Sequence, residues 1–142
     1  MSAPRRDLRI LHVEDEVLNR ELVKAILARA KEPRLAEAWL IEAETLAEAR
    51  AVVADRSVDV VLLDVQLPDG SGLSLASELR QNPPGTRPVI IAVTAGAVRE
   101  QHAAALAAGC DAILTKPYLA ADLEAILTSR TAAHAAYGNG RR

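Results

Sequence analysis

Short apolar runs and longer stretches of helical period alternate along the chain. LRILHV (8–13), WLIEA (39–43), VDVVLLD (58–64), PVIIAVT (88–94) and AILTK (112–116) read as five strands. After the first, Val17 to Ala30 carries apolar residues at 18, 22, 23, 26 and 27, the i, i+4, i+8 stripe of an amphipathic helix that closes before Pro33. Thr45 caps a second helix to about Asp55, with Glu48 in the capping-box position. Ser71 opens a third to about Arg80, which stops at the NPPG breaker, 82–85. A fourth runs from Ala97 to Ala108 with Gly109 as its C-cap, and a fifth from about Leu119 into an Ala-rich end.

Five β–α units in strict alternation predict a parallel sheet with helices on both faces. Right-handed crossovers and too few strands to close a barrel favour an open, doubly wound, flavodoxin-like (βα)5 domain with strand order 2-1-3-4-5. The expected division is a tail over 1–7, one domain over 8–130 and a short extension over 131–142, a fraying helix with a basic tip. The stretch KEPRLAEA (31–38) is longer than a helix-to-strand link needs.

Composition narrows the classes further. With 142 residues, half of them hydrophobic and a quarter charged, one core can form. Phe is absent and only one Trp and two Tyr occur, so Ala, Leu and Val do the packing. A net charge of −2 gives no electrostatic reason to expect nucleic acid or an anionic membrane as partner. The single Cys110 excludes an internal disulfide and fits a reducing compartment. The N-terminus lacks the apolar stretch of a signal peptide, and no run approaches the ~20 residues of a membrane span. These features point to a cytoplasmic protein with no membrane insertion.

In open parallel sheets, ligands bind outside the carboxyl ends of the strands. Glu14, Asp15 and Glu16 follow the first strand, Asp64 ends the third, Thr94 the fourth and Lys116 the fifth. In the order 2-1-3-4-5, Glu14, Asp15, Asp64, Thr94 and Lys116 meet in one cleft. Two unit charges ~4 Å apart interact by roughly 4 kcal/mol at an effective dielectric near 20, so clustered carboxylates call for a cation. All-oxygen ligands favour a hard ion such as Mg²⁺, bound through one or two carboxylates plus a phosphate. With Lys116 as a fixed positive charge and Thr94 as a neutral donor, the site suits a dianionic phosphoryl group and Asp64 stands as a carboxylate nucleophile. Simpler roles exist for the same residues: Asp64 alone would be a turn former, and Glu14, Asp15 and Glu16 would each stabilise a helix N-terminus by 0.3–1 kcal/mol.

From about Leu8 to Leu127 the chain resembles the receiver domain of two-component response regulators, most closely the stand-alone, DivK-like type and the receivers of hybrid sensor kinases. The resemblance rests on ILHVEDE, LLDVQLPDGSG, IAVTAG and ILTKP in order, and on the 22-residue gap from Thr94 to Lys116. It implies Asp64 as phosphoacceptor and Thr94 and Lys116 as phosphate-binding and switch residues. It also implies Mg²⁺ (or Mn²⁺) held by Asp15, Asp64 and the backbone carbonyl of Gln66, with Glu14 acting through water. Pro117 would be structural, after a cis bond. The phosphoryl donor would be a sensor histidine kinase or a histidine phosphotransfer protein, and an unknown downstream protein would read the result. One position departs from the family: Ile113 stands where an aromatic ring usually swings inward as the threonine moves, and Tyr118, two past the lysine, does not replace it.

No room follows the last helix for a DNA-binding or enzymatic module, so the expected output is protein contact or onward phosphorelay by a single-domain regulator. The chain is not expected to be an enzyme beyond assisting its own phosphorylation and dephosphorylation. Two rival functions are compatible with parts of the pattern. One is a receiver-fold binding module that acts without phosphate, for which Ile113 speaks. The other is an aspartate-nucleophile phosphohydrolase, against which Gln66 speaks, since that class has an acid two residues after the nucleophile. His12 reads as a packed core residue, His102 and His134 as ordinary exposed histidines, Cys110 as a small buried hydrophobe, and AAALAAG (103–109) as close helix packing. Gly96 would leave a phosphoryl group open to water and so short-lived.

Overall fold

All five apolar runs become strands of one parallel sheet in the computed structural model, which describes residues 7–82, 87–96 and 99–132. The strands are β1 (Arg9–Val13), β2 (Trp39–Ala43), β3 (Val60–Asp64), β6 (Val89–Thr94) and β7 (Ala112–Thr115), in the order β2-β1-β3-β6-β7. This is the expected 2-1-3-4-5 order. The count rises because Gln66–Leu67 (β4) and Gly70–Ser71 (β5) pair as a tiny antiparallel hairpin, turned at Gly70 with φ +141°. Every residue of β3 is buried, as a run apolar on both faces requires.

Helices α1 (Val17–Ala28), α2 (Pro33–Ala36) and α6 (Ala120–Arg130) bring Val23, Ile26, Leu27, Leu35, Leu123 and Leu127 against Ile10, Val60, Leu62, Ile91 and Val93. Helices α3 (Leu46–Asp55), α4 (Gly72–Gln81) and α5 (Arg99–Ala107) cover the other face through Leu46, Ala49, Leu75, Ala76, Leu79 and Ala105 on Leu11, Val61, Leu63, Ile90 and Ala92. Among the described residues no helix is long and apolar enough to cross a membrane.

Three local features differ from the sequence pattern. The α1 stripe is only half used: Val23, Ile26 and Leu27 are buried, but Leu18 is 80% exposed and Leu22 46%. Leu22 lines a cleft at the edge of the sheet instead of the core. Residues 31–38 are not slack, because they hold α2, with Glu32 capping the Arg34 N–H. Leu35 is fully buried, and the Arg34 guanidinium donates to Thr131 O and Oγ1 at 2.9 and 2.7 Å. That stitch ties the exit of α1 to the end of α6. Finally, Thr45 Oγ1 accepts the Glu48 N–H (3.1 Å), but Glu48 reaches Glu44 N (2.7 Å), one residue before the cap. The remaining free donors of α3, Leu46 N and Ala47 N, go to the Asp69 carboxylate at 2.9 and 3.1 Å. The Leu46 bond first, then that of Ala47, outweighs desolvation and holds the Asp69 carboxyl below its ordinary range.

Tail residues 1–6, Pro83, Pro84 and Gly85 of the breaker, the expected helix start at 97–98, and residues 133–142 with His134 lie outside the described residues.

Candidate functional site

The parallel register brings five strand ends level. Val13 pairs with Ala43 and Leu63, Asp64 with Val93, and Thr94 with Thr115. The residue that follows each strand therefore emerges at one edge. Asp64 lies there, largely buried, with Oδ1 accepting the Gln66 N–H (3.0 Å). The chain then doubles back: Val65 N bonds Val93 O (3.1 Å) and Gly72 N bonds Val65 O (2.7 Å). A Cβ on Gly72 would overlap the Asp64 carbonyl oxygen, so only glycine lets α4 start this close to the acid.

Glu14 is 2% exposed; its N–H is held by Ala43 O at 2.9 Å. Its Oε2 accepts the Glu16 N–H (3.2 Å) and its Oε1 meets Lys116 Nζ (3.2 Å). The same Nζ lies 3.3 Å from Asp64 Oδ2. Asp15, beside Glu14, is exposed. Glu14, Asp15 and Asp64 each present a carboxylate oxygen within 4.8 Å of the others. Glu16 stands apart, with its carboxylate on Asn19 Nδ2 (2.9 Å). Lys116 is anchored through its N–H to Thr94 O (2.7 Å) and is followed by a cis bond to Pro117. A cleft of about 1060 Å³ opens above, lined by Asp15, Asn19 and Leu22 on one side, Asp64 and Lys116 at its floor, and Thr94 and Gln101 on the other.

Charge at the floor does not balance. Burial pushes the Asp64 carboxyl above its ordinary range and the charge on Glu14 adds to this, against the Gln66 N–H and Lys116. Burial works the same way on Glu14, but there the Glu16 N–H and the Lys116 ammonium outweigh it and the pKa falls. Burial alone would lower the Lys116 pKa; the facing Asp64 and Glu14 raise it. One ammonium thus serves two buried carboxylates with a third nearby. Hard oxygen donors in excess negative charge suit a small divalent cation.

The remaining sequence candidates divide. Thr94 is buried at the rim, its Oγ1 accepting the Gly96 N–H (3.2 Å) and lying 3.5 Å from Gln101 Oε1. Ile113 is half-buried and packs on the core under α3, α4 and α5, while Tyr118 packs on the core of the opposite face, so the two side chains do not substitute for each other. His12 is buried with Nδ1 unbonded, and desolvation lowers its pKa to about 4, so it is a neutral core residue, as the sequence suggests. Cys110 is buried likewise, its thiol pushed up to about 11 by desolvation. His102 is half-buried rather than exposed, because its Nε2 lies 3.3 Å from Gly96 O.

Sequence reasoning missed three residues. Arg20 Nη1 donates to Glu14 O (2.9 Å) and its Nη2 pairs with Glu44 (3.6 Å), steadying the acidic loop from α1. Gly72 was readable only as a turn former. Gln101 fills the space beside Gly96, which the sequence alone leaves open.

Residues 10–128 match the response regulator receiver domain family. Over 122 residues the chain is 35% identical to the phosphate regulon transcriptional regulatory protein PhoB of Pseudomonas aeruginosa, covering 83% of this chain and 51% of that protein. The chain therefore spans about half the length of that relative. Its structure is similar to a CheY-like receiver domain protein from Methanospirillum hungatei (TM-score 0.79, 26% identity, 93% of this chain and 99% of that one). It is similar also to the receiver domain of a sensor histidine kinase from Pseudomonas aeruginosa, solved with magnesium coordinated in the active-site cleft (TM-score 0.74, 30% identity, 87% and 97%).

Proposed function

Because the chain belongs to the response regulator receiver domain family, we propose that Asp64 accepts a phosphoryl group from a phosphohistidine of a sensor histidine kinase or histidine phosphotransfer protein. Supporting the donor class, one similar structure is itself the receiver of a sensor histidine kinase. An Asp64 carboxylate oxygen attacks phosphorus, the P–N bond breaks, and its electron pair stays on the departing imidazole nitrogen. Asp15, Asp64 and the Gln66 backbone carbonyl would hold Mg²⁺, or Mn²⁺ in its place, with Glu14 acting through water. The bound cation would neutralise charge on the transferring oxygens. Lys116, already 3.3 Å from Asp64, meets one phosphoryl oxygen, and the Thr94 hydroxyl can donate to another.

The observation that carries this reading is the meeting of Glu14, Asp15 and Asp64 within 4.8 Å over a single shared ammonium. Phosphorylation would bias a two-state surface over β6 and β7, read by a downstream protein or passed on as phosphate. The chain assists its own phosphorylation and dephosphorylation and turns over no other substrate. Intact-protein mass after incubation with acetyl phosphate tests the proposal. We expect the gain of one phosphoryl group, dependent on Mg²⁺ and absent in Asp64→Ala. No gain in the folded wild type, with acetyl phosphate or a kinase donor, would favour a binding module acting without phosphate, the reading for which Ile113 speaks.

A further inference from the structure

If Ile113 cannot exchange a ring between solvent and core, something else must carry a change at Asp64 into the helices. The contacts of Thr94 supply a candidate. Its hydroxyl accepts the Gly96 N–H at 3.2 Å, which leaves its one proton between two oxygens, Gly96 O and Gln101 Oε1, each at 3.5 Å. Both are neutral acceptors at the outer limit of hydrogen-bond length, so the hydroxyl is held weakly. Gln101 reaches this point only because residue 96 has no side chain: a Cβ there would overlap its Oε1. The next residue on α5, His102, holds Gly96 O through Nε2 at 3.3 Å. Neighbouring side chains of α5 thus grip the Thr94–Gly96 segment at two points.

We propose that Gln101 is a positioning residue that holds the Thr94 hydroxyl in the unphosphorylated protein and, with His102, couples its release to α5. The inference rests on the phosphoacceptor reading of Asp64. A phosphoryl oxygen on Asp64 carries charge, and charge-assisted hydrogen bonds are about twice as strong as neutral ones. It therefore outcompetes the Gln101 and Gly96 oxygens for the Thr94 proton. Thr94 leaves Gln101, Gly96 follows, and the grip of His102 transmits the shift to α5.

Amide NMR of the full chain with and without beryllofluoride and Mg²⁺, a phosphoryl mimic, tests this on wild type and Gln101→Met, which keeps side-chain length and removes the amide. In wild type we expect shifts at Asp64–Gln66, Thr94–Gly96 and along 99–107. In Gln101→Met the shifts at Asp64 persist while those along 99–107 fall by more than half. The beryllofluoride concentration at half-saturation should drop about twofold, the low end for one neutral hydrogen bond, because the contact is long and Gly96 O remains as an acceptor. An unchanged α5 response with unchanged half-saturation would overturn the role of Gln101 and leave Asp64 as phosphoacceptor. Wild type with no shift at Asp64 would overturn the phosphoacceptor reading and the coupling with it.

Discussion

Two clusters of charge sit at opposite ends of the sheet, and they are built on contrary principles. At the amino-terminal edge, Arg80 donates to Gly109 O (2.8 Å), Pro88 O (2.9 Å) and Asp111 (2.5 Å), and Asp111 also accepts the Ile90 N–H (2.8 Å). That network is short and locks α4 to the starts of β6 and β7. At the carboxyl edge, Lys116 is divided between Glu14 and Asp64 at 3.2 and 3.3 Å, and Asp15 adds a further negative charge. The Glu14–Asp64 repulsion is roughly 3 kcal/mol at an effective dielectric near 20, before Lys116 is counted. One cluster is satisfied by the chain itself; the other is left short of positive charge, which is what a site for a cation and a phosphoryl group requires.

The largest effect that would break the contrast is on the satisfied side. Arg80→Met leaves Asp111 with the Ile90 N–H and a longer contact to Arg87 (3.7 Å) and removes the donors to Gly109 O and Pro88 O, an expected cost of about 3 kcal/mol for one charged hydrogen bond and two to backbone carbonyls. Urea unfolding measures it, and Mg²⁺-dependent phosphorylation by acetyl phosphate should survive. An equal loss of phosphorylation in the folded variant would mean the two ends are not independent.

Slightly smaller is the effect of a bound cation. Mg²⁺ at about 100 times its dissociation constant should stabilise the wild type by about 2.7 kcal/mol, and far less in Asp15→Asn. Thermal unfolding against Mg²⁺ concentration reads this directly; a flat profile would remove the reason for the unbalanced acids.

The smallest effect is also the most specific. In chelator, Asp64→Asn should be more stable than wild type by about 1 kcal/mol at neutral pH, since it relieves repulsion in the cluster. The sign follows from the raised Asp64 pKa: the folded state holds that proton more tightly than the unfolded chain, so ionisation opposes folding. The advantage of the variant is therefore absent below the ordinary value of 3.8 and grows as pH rises through the folded pKa. With saturating Mg²⁺ the order should invert, because a ligand has been removed. Paired denaturation curves at pH 3.5 and pH 7 decide it.

Much of the fold and the centre of the site were legible because they depend on near neighbours in the chain. VVLLD announces a strand buried on both faces, and each of its residues is buried. Ser71 caps α4 by accepting the Leu73 N–H, and Gly109 adopts φ +104° just past α5, each as its residue type suggests. Five alternating units imply the strand order, and that order alone gathers Glu14, Asp15, Asp64, Thr94 and Lys116 at one edge. The contacts that run between distant segments were not legible. Asp69 reads as a loop former but caps α3 across 22 and 23 residues. Arg34 and Thr131, 97 residues apart, turn an apparently slack link into a stitch.

By itself, then, the amino-acid sequence determined which segments are strands and helices, their order, and which acids and bases share an edge, since periodicity, capping and right-handed connection are local rules. Tertiary structure alone decided that Leu18 and Leu22 face away from the core, that Glu14 is nearly sealed from solvent, and that Gln101 occupies the gap at Gly96. Those outcomes depend on how far a helix extends past the sheet and which side chain first fills a space. Neither is encoded in any short window of residues; both follow from packing the whole chain at once.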